Sequence, residues 1–517
     1  MCRIFYSVRV LPIFLKRCLK KTRNYKKIDA VKKIKGKFMT SAKKILAISA
    51  IAGMALASFA ATKTSEKTAM PVSEDLQKST IYQILPQHFT QEGTLKKATD
   101  FLPHIKSLGV DIVYLCPVAE ADRDENRDFW SKRQKASGLN NPCNPYRIRD
   151  YFKIDPRFGG DADLKRFVEK AHKLGLKVIL DLVYYHCGPK AVFIETNPDF
   201  VVRNPDGTVK NGFWNFPELN FKSKGLREYL IKNMLYFIEK FGVDGYRTDV
   251  EKEVPADFWA EAYARISKIK PDVIMLAETH RETAQLDAYN INYSFRWTNA
   301  LIYVFSGKAP AHILKKIWSE QNSQFPKGAR LLRALDNHDT ASDSCQPEKG
   351  GARYESQFGN SGMDAIQLLN FTIDGIPFIY NGNEFADNTY FSMFSDNKHG
   401  RFFVAWENIA SEEGRKRMAL IRKLNSIRKK NSEFWRGETV WIDNSNPDCV
   451  VSFMRRDKIS SSIVLVNTRN AHLDAKIKID FKKPAKLISD GAKYQISKDE
   501  LTVSFEPNGY IVLKCEQ

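Results

Sequence analysis

Cysteine is scarce in this chain, with eight among 517 residues and no two spaced as CxxC. A zinc site built on paired thiols therefore has nothing to rest on. A glycine-rich GxGxxG turn opening a helix after a hydrophobic run is also missing, which removes the fingerprint of a dinucleotide site. Continuous hydrophobic runs are few, and the longest, Ile45 to Ala61, has 17 residues, at the bottom of what spans a bilayer. Charge of one sign is lacking too once its location is considered. The formal +21 is concentrated at the start: residues 1 to 44 hold 15 of the 81 Lys/Arg against one acid, Asp29. The remainder has 66 basic against 59 acidic residues, an ordinary mixed surface with no basic stripe for phosphate, so nucleic acid is discounted as a partner.

What is present is a large apolar content, 43% hydrophobic and 12% aromatic, enough for one large domain and a smaller one. At the N-terminus, Lys43-Lys44 and the run to Ala61, closing on Ser58-Phe59-Ala60, read as a secretory signal with its cleavage site. Export is the expectation, periplasmic or secreted, and an uncleaved membrane anchor over residues 1–61 is the alternative. Met39 stands directly before the complete signal and is the expected start of translation. In an exported protein a bridge between Cys143 and Cys187 would be permitted.

Between residues 75 and 430, short apolar runs alternate with amphipathic helical stretches. The runs are 81–85, 111–118, 177–185, 243–250, 273–278, 289–295, 329–335 and 376–382. Eight such runs match a (β/α)8 TIM barrel, because parallel strands buried on both faces read as continuous apolar segments. An open doubly wound sheet is the rival. The stretch 187–223 after the third run, rich in Pro, Gly, Asn and aromatics, predicts a short inserted subdomain. From 431 to 517 the pattern changes to alternating segments separated by polar turns, such as CVVSFMRR, SSIVLVNT and GYIVLKC, which predicts a C-terminal antiparallel β-sandwich.

Barrel chemistry gathers where strands end, and four runs end in charge: Asp181 with His186, Arg247 with Asp249, Glu278, and Asn337-His338-Asp339. A lone acid there is ordinarily a cap or a solvated loop residue. Several converging on one mouth repel one another unless chemistry uses them, and a pair of carboxyls flanking one bond is what glycoside hydrolysis requires.

These stretches resemble the conserved regions of glycoside hydrolase family 13, the α-amylase family. Asp181-Leu-Val-Tyr-Tyr-His186, Gly245-Tyr-Arg247-Thr-Asp249, Leu276-Ala-Glu278 and Asp336-Asn-His338-Asp339 arrive in the family's order. Tyr146 with Asp150-Tyr151, the run 154–159, Pro217-Glu-Leu-Asn220 and Gly375-Ile-Pro-Phe-Ile379 extend the match. The resemblance implies a retaining hydrolase of α-glucosidic bonds in starch-like glucans or maltooligosaccharides. It assigns Asp249 as nucleophile, Glu278 as acid/base and Asp339 as the carboxylate that stabilises the transition state. Tyr146, His186, Arg247, Lys252 and His338 become the substrate-binding set, with Arg247 also holding Asp249 ionised. Asp181 is expected behind the substrate rather than against it. Trp214 and Phe213 are candidates for the cleft wall or for packing within the subdomain, and Asp396 and Arg401 for contacts further away.

The departures bear on metal. Where the family carries Asn as a calcium ligand before the histidine, this chain has Tyr185, which offers no carboxamide oxygen. The usual Lys-His ending of the second region is Lys252-Glu253. Together with the short subdomain, these predict that the family's usual calcium is absent and that no cofactor is needed. Transglycosylation in the same fold, or a non-catalytic amylase-like ectodomain, are the alternative functions.

Overall fold

A computed structural model describes residues 64, 66–340, 353–390, 392–400, 403–481 and 484–515. The basic tract, the apolar run 45–61 and the expected start at Met39 lie outside the described residues, as do Cys345 and Arg401.

All eight apolar runs contain a strand, and each strand is shorter than its run. They are β1 (Ile81–Ile84), β2 (Ile112–Leu115), β5 (Lys177–Leu182), β6 (Gly245–Thr248), β7 (Ile274–Ala277), β8 (Ile291–Asn292), β9 (Leu332–Arg333) and β10 (Ile376–Tyr380). They pair in parallel in the order β8-β7-β6-β5-β2-β1-β10-β9. A parallel bridge from Asn292 to Leu331 joins the two ends, so the sheet closes on itself. This is the (β/α)8 barrel, and it excludes the open sheet. Almost every strand residue is buried, which is why these segments read as unbroken apolar runs. At the start of β6 only glycine fits, because a Cβ on Gly245 would lie 2.0 Å from the Ile274 carbonyl oxygen of β7.

The long connecting helices follow the expected logic. In Lys224–Phe241, capped by the Ser223 side chain on the Leu226 amide, the buried Leu226, Leu230, Met234, Phe237 and Phe241 recur at helical spacing and face the barrel.

Two excursions leave the barrel at the C-terminal ends of its strands. The predicted one, after β5, has little regular structure, and single bridges such as Val201–Leu219 and Asn211–Pro217 hold it. The other follows β2: an antiparallel pair, β3 (Ala119–Ala121) and β4 (Ile148–Ile154), with a short helix, Lys132–Ala136, between them. The sequence reading did not recognise this second excursion as an element. Cys143 and Cys187 are both free thiols, which overturns the bridge considered between them.

Beyond the helix Glu412–Lys430 comes an all-antiparallel sheet: β11 (Glu438–Trp441), β12 (Val450–Arg456), β13 (Ser461–Asn467), β14 (Leu473–Lys478), β15 (Ala485–Ser497) and β16 (Glu500–Cys515). The sandwich is one continuous sheet bent over its own core. Ile463 and Leu465 of β13 pack with Ala475 and Ile477 of β14 and with Leu501 and Val503 of β16. The bend falls where β15 and β16 shift register, and there a Cβ on Gly509 would lie 2.1 Å from the Gly491 carbonyl oxygen. Alternate residues on the other face, Val464, Val466, Tyr510 and Val512, join the barrel's own apolar core.

Candidate active site

Asp181 of β5 and Arg247 of β6 are register partners, so both side chains leave the sheet on the same face. Asp249 lies two residues beyond Arg247, just past the end of β6, and Glu278 follows the end of β7. The outcome is one guanidinium shared by three carboxylates. Arg247 Nη1 donates to Asp181 Oδ1 at 2.7 Å and to Asp249 Oδ1 at 2.8 Å, and Nη2 lies 2.7 Å from Glu278 Oε1.

Backbone geometry then holds Glu278. Val250 adopts φ 40° and ψ 48°, a left-handed conformation that costs a β-branched residue energy. Its amide thereby donates to Glu278 Oε2 at 2.9 Å. The strain sits on the residue between the two carboxyl positions that chemistry would use.

Asp339 is held differently. It follows β9 by several residues in a turn organised by Asn337, whose Oδ1 accepts from the Asp339 amide at 2.9 Å. Arg133 Nη1, from the unpredicted excursion, donates to Asp339 Oδ1 at 2.7 Å, and His338 Nε2 is 3.5 Å from Oδ2.

A hydrogen-bonded chain runs beneath. The Tyr146 hydroxyl donates to Asp181 Oδ2 at 2.9 Å and meets His338 Nε2 at 2.7 Å, while Gln83 Nε2 is 2.7 Å from His338 Nδ1. An amide nitrogen can only donate, so the network assigns the His338 proton to Nε2, which donates to the Tyr146 oxygen. The Tyr146 ring stacks on His338, centroids 5.3 Å apart. His186 uses Nε2 on the Tyr146 carbonyl at 2.8 Å, and its buried Nδ1 has no hydrogen-bond partner within the protein.

The charge states follow from burial and neighbours. Burial raises the pKa of Asp249 well above the carboxylate range; Arg247 opposes this, and Glu278 and Asp181 add to it. Burial also raises Glu278, again against Arg247 and with help from Asp339. The expectation that Arg247 would hold Asp249 low is not met, because one cation divided among three anions cannot offset desolvation. The two interact strongly enough to titrate as a pair. Burial would raise Asp339 as well, but His338 and Arg133 outweigh it and hold that carboxyl well below the usual range. Burial lowers His186 to about 4, so the ring is neutral at pH 7.

These groups surround a cavity of about 310 Å³ whose wall includes Tyr146, His186, Asp249, Glu278, His338 and Asp339. Lys252 also reaches the wall, with its side chain exposed. Arg247 does not: it is fully buried and acts on the cavity only through its carboxylates, which corrects its place among the substrate contacts. Asp181 is likewise behind the wall. Trp214 lines the cavity, whereas Phe213 is 69% exposed and does not. Asp396 bonds Asn141 and His399 beside a separate cavity.

The family model for the α-amylase catalytic domain matches residues 56–205 and 208–447. The chain belongs to the α-amylase family. Among relatives, a cyclomaltodextrinase from a Bacillus species is 31% identical over 320 residues, covering 56% of this chain and 52% of that protein. An intracellular maltogenic amylase from Bacillus subtilis is 24% identical, covering 82% and 70%. Over the first of its curated relatives the chain spans about half to two thirds of their length. In fold, a maltogenic α-amylase from Thermotoga neapolitana superposes with a TM-score of 0.73 at 22% identity, over 86% of this chain and all of that one. An α-amylase from Lactobacillus plantarum gives 0.70 at 22% identity, also over 86% and all of that chain.

Sequence reasoning missed Arg133, Phe216, His280, Phe295 and Phe394 of the cavity wall. None lies within a barrel strand, and no local pattern marks a residue that reaches the site through tertiary folding. At the family's calcium position, Tyr185 donates its hydroxyl to Glu218 Oε1 at 2.9 Å and packs edge-on against Trp214. That environment does not fit a hard cation, which needs several unpaired oxygens. No group of three or more metal-ligating side chains occurs among the described residues.

Proposed function

We propose that this chain is a retaining glycoside hydrolase that cleaves α-glucosidic bonds of starch-like glucans or maltooligosaccharides by double displacement. The observation that carries this reading is the single guanidinium bracketed by Asp249 and Glu278. Two carboxyls on the two ends of one Arg247 are close enough to act on the same bond, and burial raises the proton affinity of Glu278 as an acid requires. Glu278 gives its proton to the leaving oxygen while Asp249 attacks the anomeric carbon. Water then enters with Glu278 as base, releasing the glycosyl group from Asp249. Asp339 stays ionised and faces the oxocarbenium-like charge. Tyr146 supplies a ring beneath the sugar. His186 and His338 meet sugar hydroxyls from the cavity wall, and Lys252 contacts the leaving-group side. The names of the relatives support a glucan substrate, and their reach over this chain supports the whole barrel as the working unit.

On this reading no calcium is required, and the 45–61 run directs export. N-terminal sequencing of the native product tests the latter, with a product retaining Phe5 or Tyr6 contradicting both the signal and the start at Met39. The mechanism is tested by NMR of the anomeric proton during the first turnovers of an α-linked substrate. Double displacement releases the α-anomer first, and initial β-anomer would overturn the roles of Asp249 and Glu278.

A further inference from the structure

We propose that Arg133, carried by the excursion after β2, is a positioning residue for Asp339, fixing the orientation and the negative charge of that carboxylate while forming part of the cavity wall. This deepens the hydrolase reading and rests on it for the role of Asp339.

Three observations carry the assignment. Arg133 reaches across the site, 206 residues apart in sequence from its partner, to donate at 2.7 Å, and its side chain is only 22% exposed. Its base is anchored. Ser131 caps the short helix Lys132–Ala136 by accepting from the Gln134 amide at 3.0 Å, and the buried Gln134 side chain donates to the Asn141 carbonyl at 2.9 Å. The guanidinium also lies over the Phe394 ring, 5.9 Å from its centroid, and both residues line the cavity. A planar cation anchored at its base and packed against an aromatic face loses little freedom in making this contact.

The charges around Asp339 explain why such a residue is needed. Glu278 repels it, Arg247 is already divided among three other carboxylates, and His338 is neutral near pH 7 because burial lowers it. Arg133 brings a permanent cation into direct contact with Asp339. Without it, a carboxyl beside another acid binds a proton more readily and turns more freely.

The test compares wild type with Arg133→Ala and Arg133→Lys, each shown to be folded by near-UV circular dichroism. Asp339 is titrated directly by carboxyl carbon NMR of aspartate-labelled protein, with Asp339→Asn identifying the resonance. Arg133→Ala is expected to move the Asp339 midpoint upward by about one pH unit or more, and Arg133→Lys to return most of the way. In parallel, kcat on a maltooligosaccharide is expected to fall about tenfold in Arg133→Ala with KM changed less, because Asp339 acts most strongly in the transition state. An unmoved midpoint in Arg133→Ala overturns the proposal whatever happens to activity. A shifted midpoint in a protein whose wild type turns over no α-glucan overturns the hydrolase reading instead and leaves the assignment of Arg133 standing.

Discussion

The two sides of the cavity use the same pair of chemical groups to opposite effect. On the β6–β7 side, one buried arginine serves three carboxylates, and burial wins: Asp249 and Glu278 are pushed toward holding a proton. On the β9 side, Arg133 and His338 both lie against Asp339, and that carboxyl is held ionised. The contact lengths are nearly equal, 2.7 to 2.8 Å, so distance does not decide the outcome. The surroundings differ: three carboxylates share Arg247 in a buried layer, whereas the Asp339 side chain is more open to solvent. A site that needs one acid and one permanent anion obtains both by placing arginine against carboxylates in different degrees of burial and charge sharing.

The comparison breaks most completely at the nucleophile. Asp249→Asn keeps the shape and the hydrogen-bond acceptor but cannot form a glycosyl ester. It is expected to lower kcat/KM by at least about a thousandfold, equivalent to about 4 kcal/mol of transition-state stabilisation. Steady-state hydrolysis of a maltooligosaccharide measures this, and residual turnover above that level would remove Asp249 from the role.

Next is the shared cation. Arg247→Ala leaves three carboxylates uncompensated in a buried layer and is expected to cost about 3–5 kcal/mol of stability, read as a lower guanidinium midpoint. A loss below about 1 kcal/mol would mean that the layer is hydrated rather than held by charge.

Bases obey the same burial rule with the sign reversed. His88 and His186 are both lowered by burial to about 4, below the value of about 6.5 in an unfolded chain. Between those values the unfolded chain binds protons that the folded one does not. The stability they contribute is present above pH 6.5 and disappears as the pH falls toward 4. Melting temperature against pH should therefore decline through that window, and His186→Gln should make the decline shallower.

A smaller change tests the sharing of Arg247 itself. Asp181→Asn removes one of the three anions on Arg247, so the remaining pair should release its proton more readily. The alkaline limb of kcat is then expected to move to lower pH by roughly half a unit to one unit. A limb that moves upward would refute the counting of charges.

The smallest effect is expected from chelation. With Tyr185 bonded to Glu218 at the family's calcium position, EDTA should leave melting temperature and activity within error, since only an ion bound to the folded state adds stability. A fall of more than about 5 °C would reveal a calcium site elsewhere.

Much of this was legible along the chain because it is local. Each barrel strand is buried on both faces, so eight apolar runs announce eight strands, and the acids that end them announce the catalytic rim. Asp249, Glu278 and Asp339 could be named from their motifs, since two residues along a strand already place Arg247 and Asp249 on one face. What stayed hidden is non-local. The β3–β4 excursion has only three residues in its first strand, and β15 alternates exposed and half-buried residues around the bend at Gly491, so neither leaves a strong apolar signature. Arg133 is an unremarkable arginine on a five-residue helix until folding brings it to Asp339. The proton affinities were also out of reach, because they depend on how deeply a group is buried and on how many partners share each charge. The sequence determined which acids meet at the mouth of the barrel; only the tertiary structure decided which are pushed toward a proton and which is held charged, since desolvation and charge sharing exist only once the chain has closed around them.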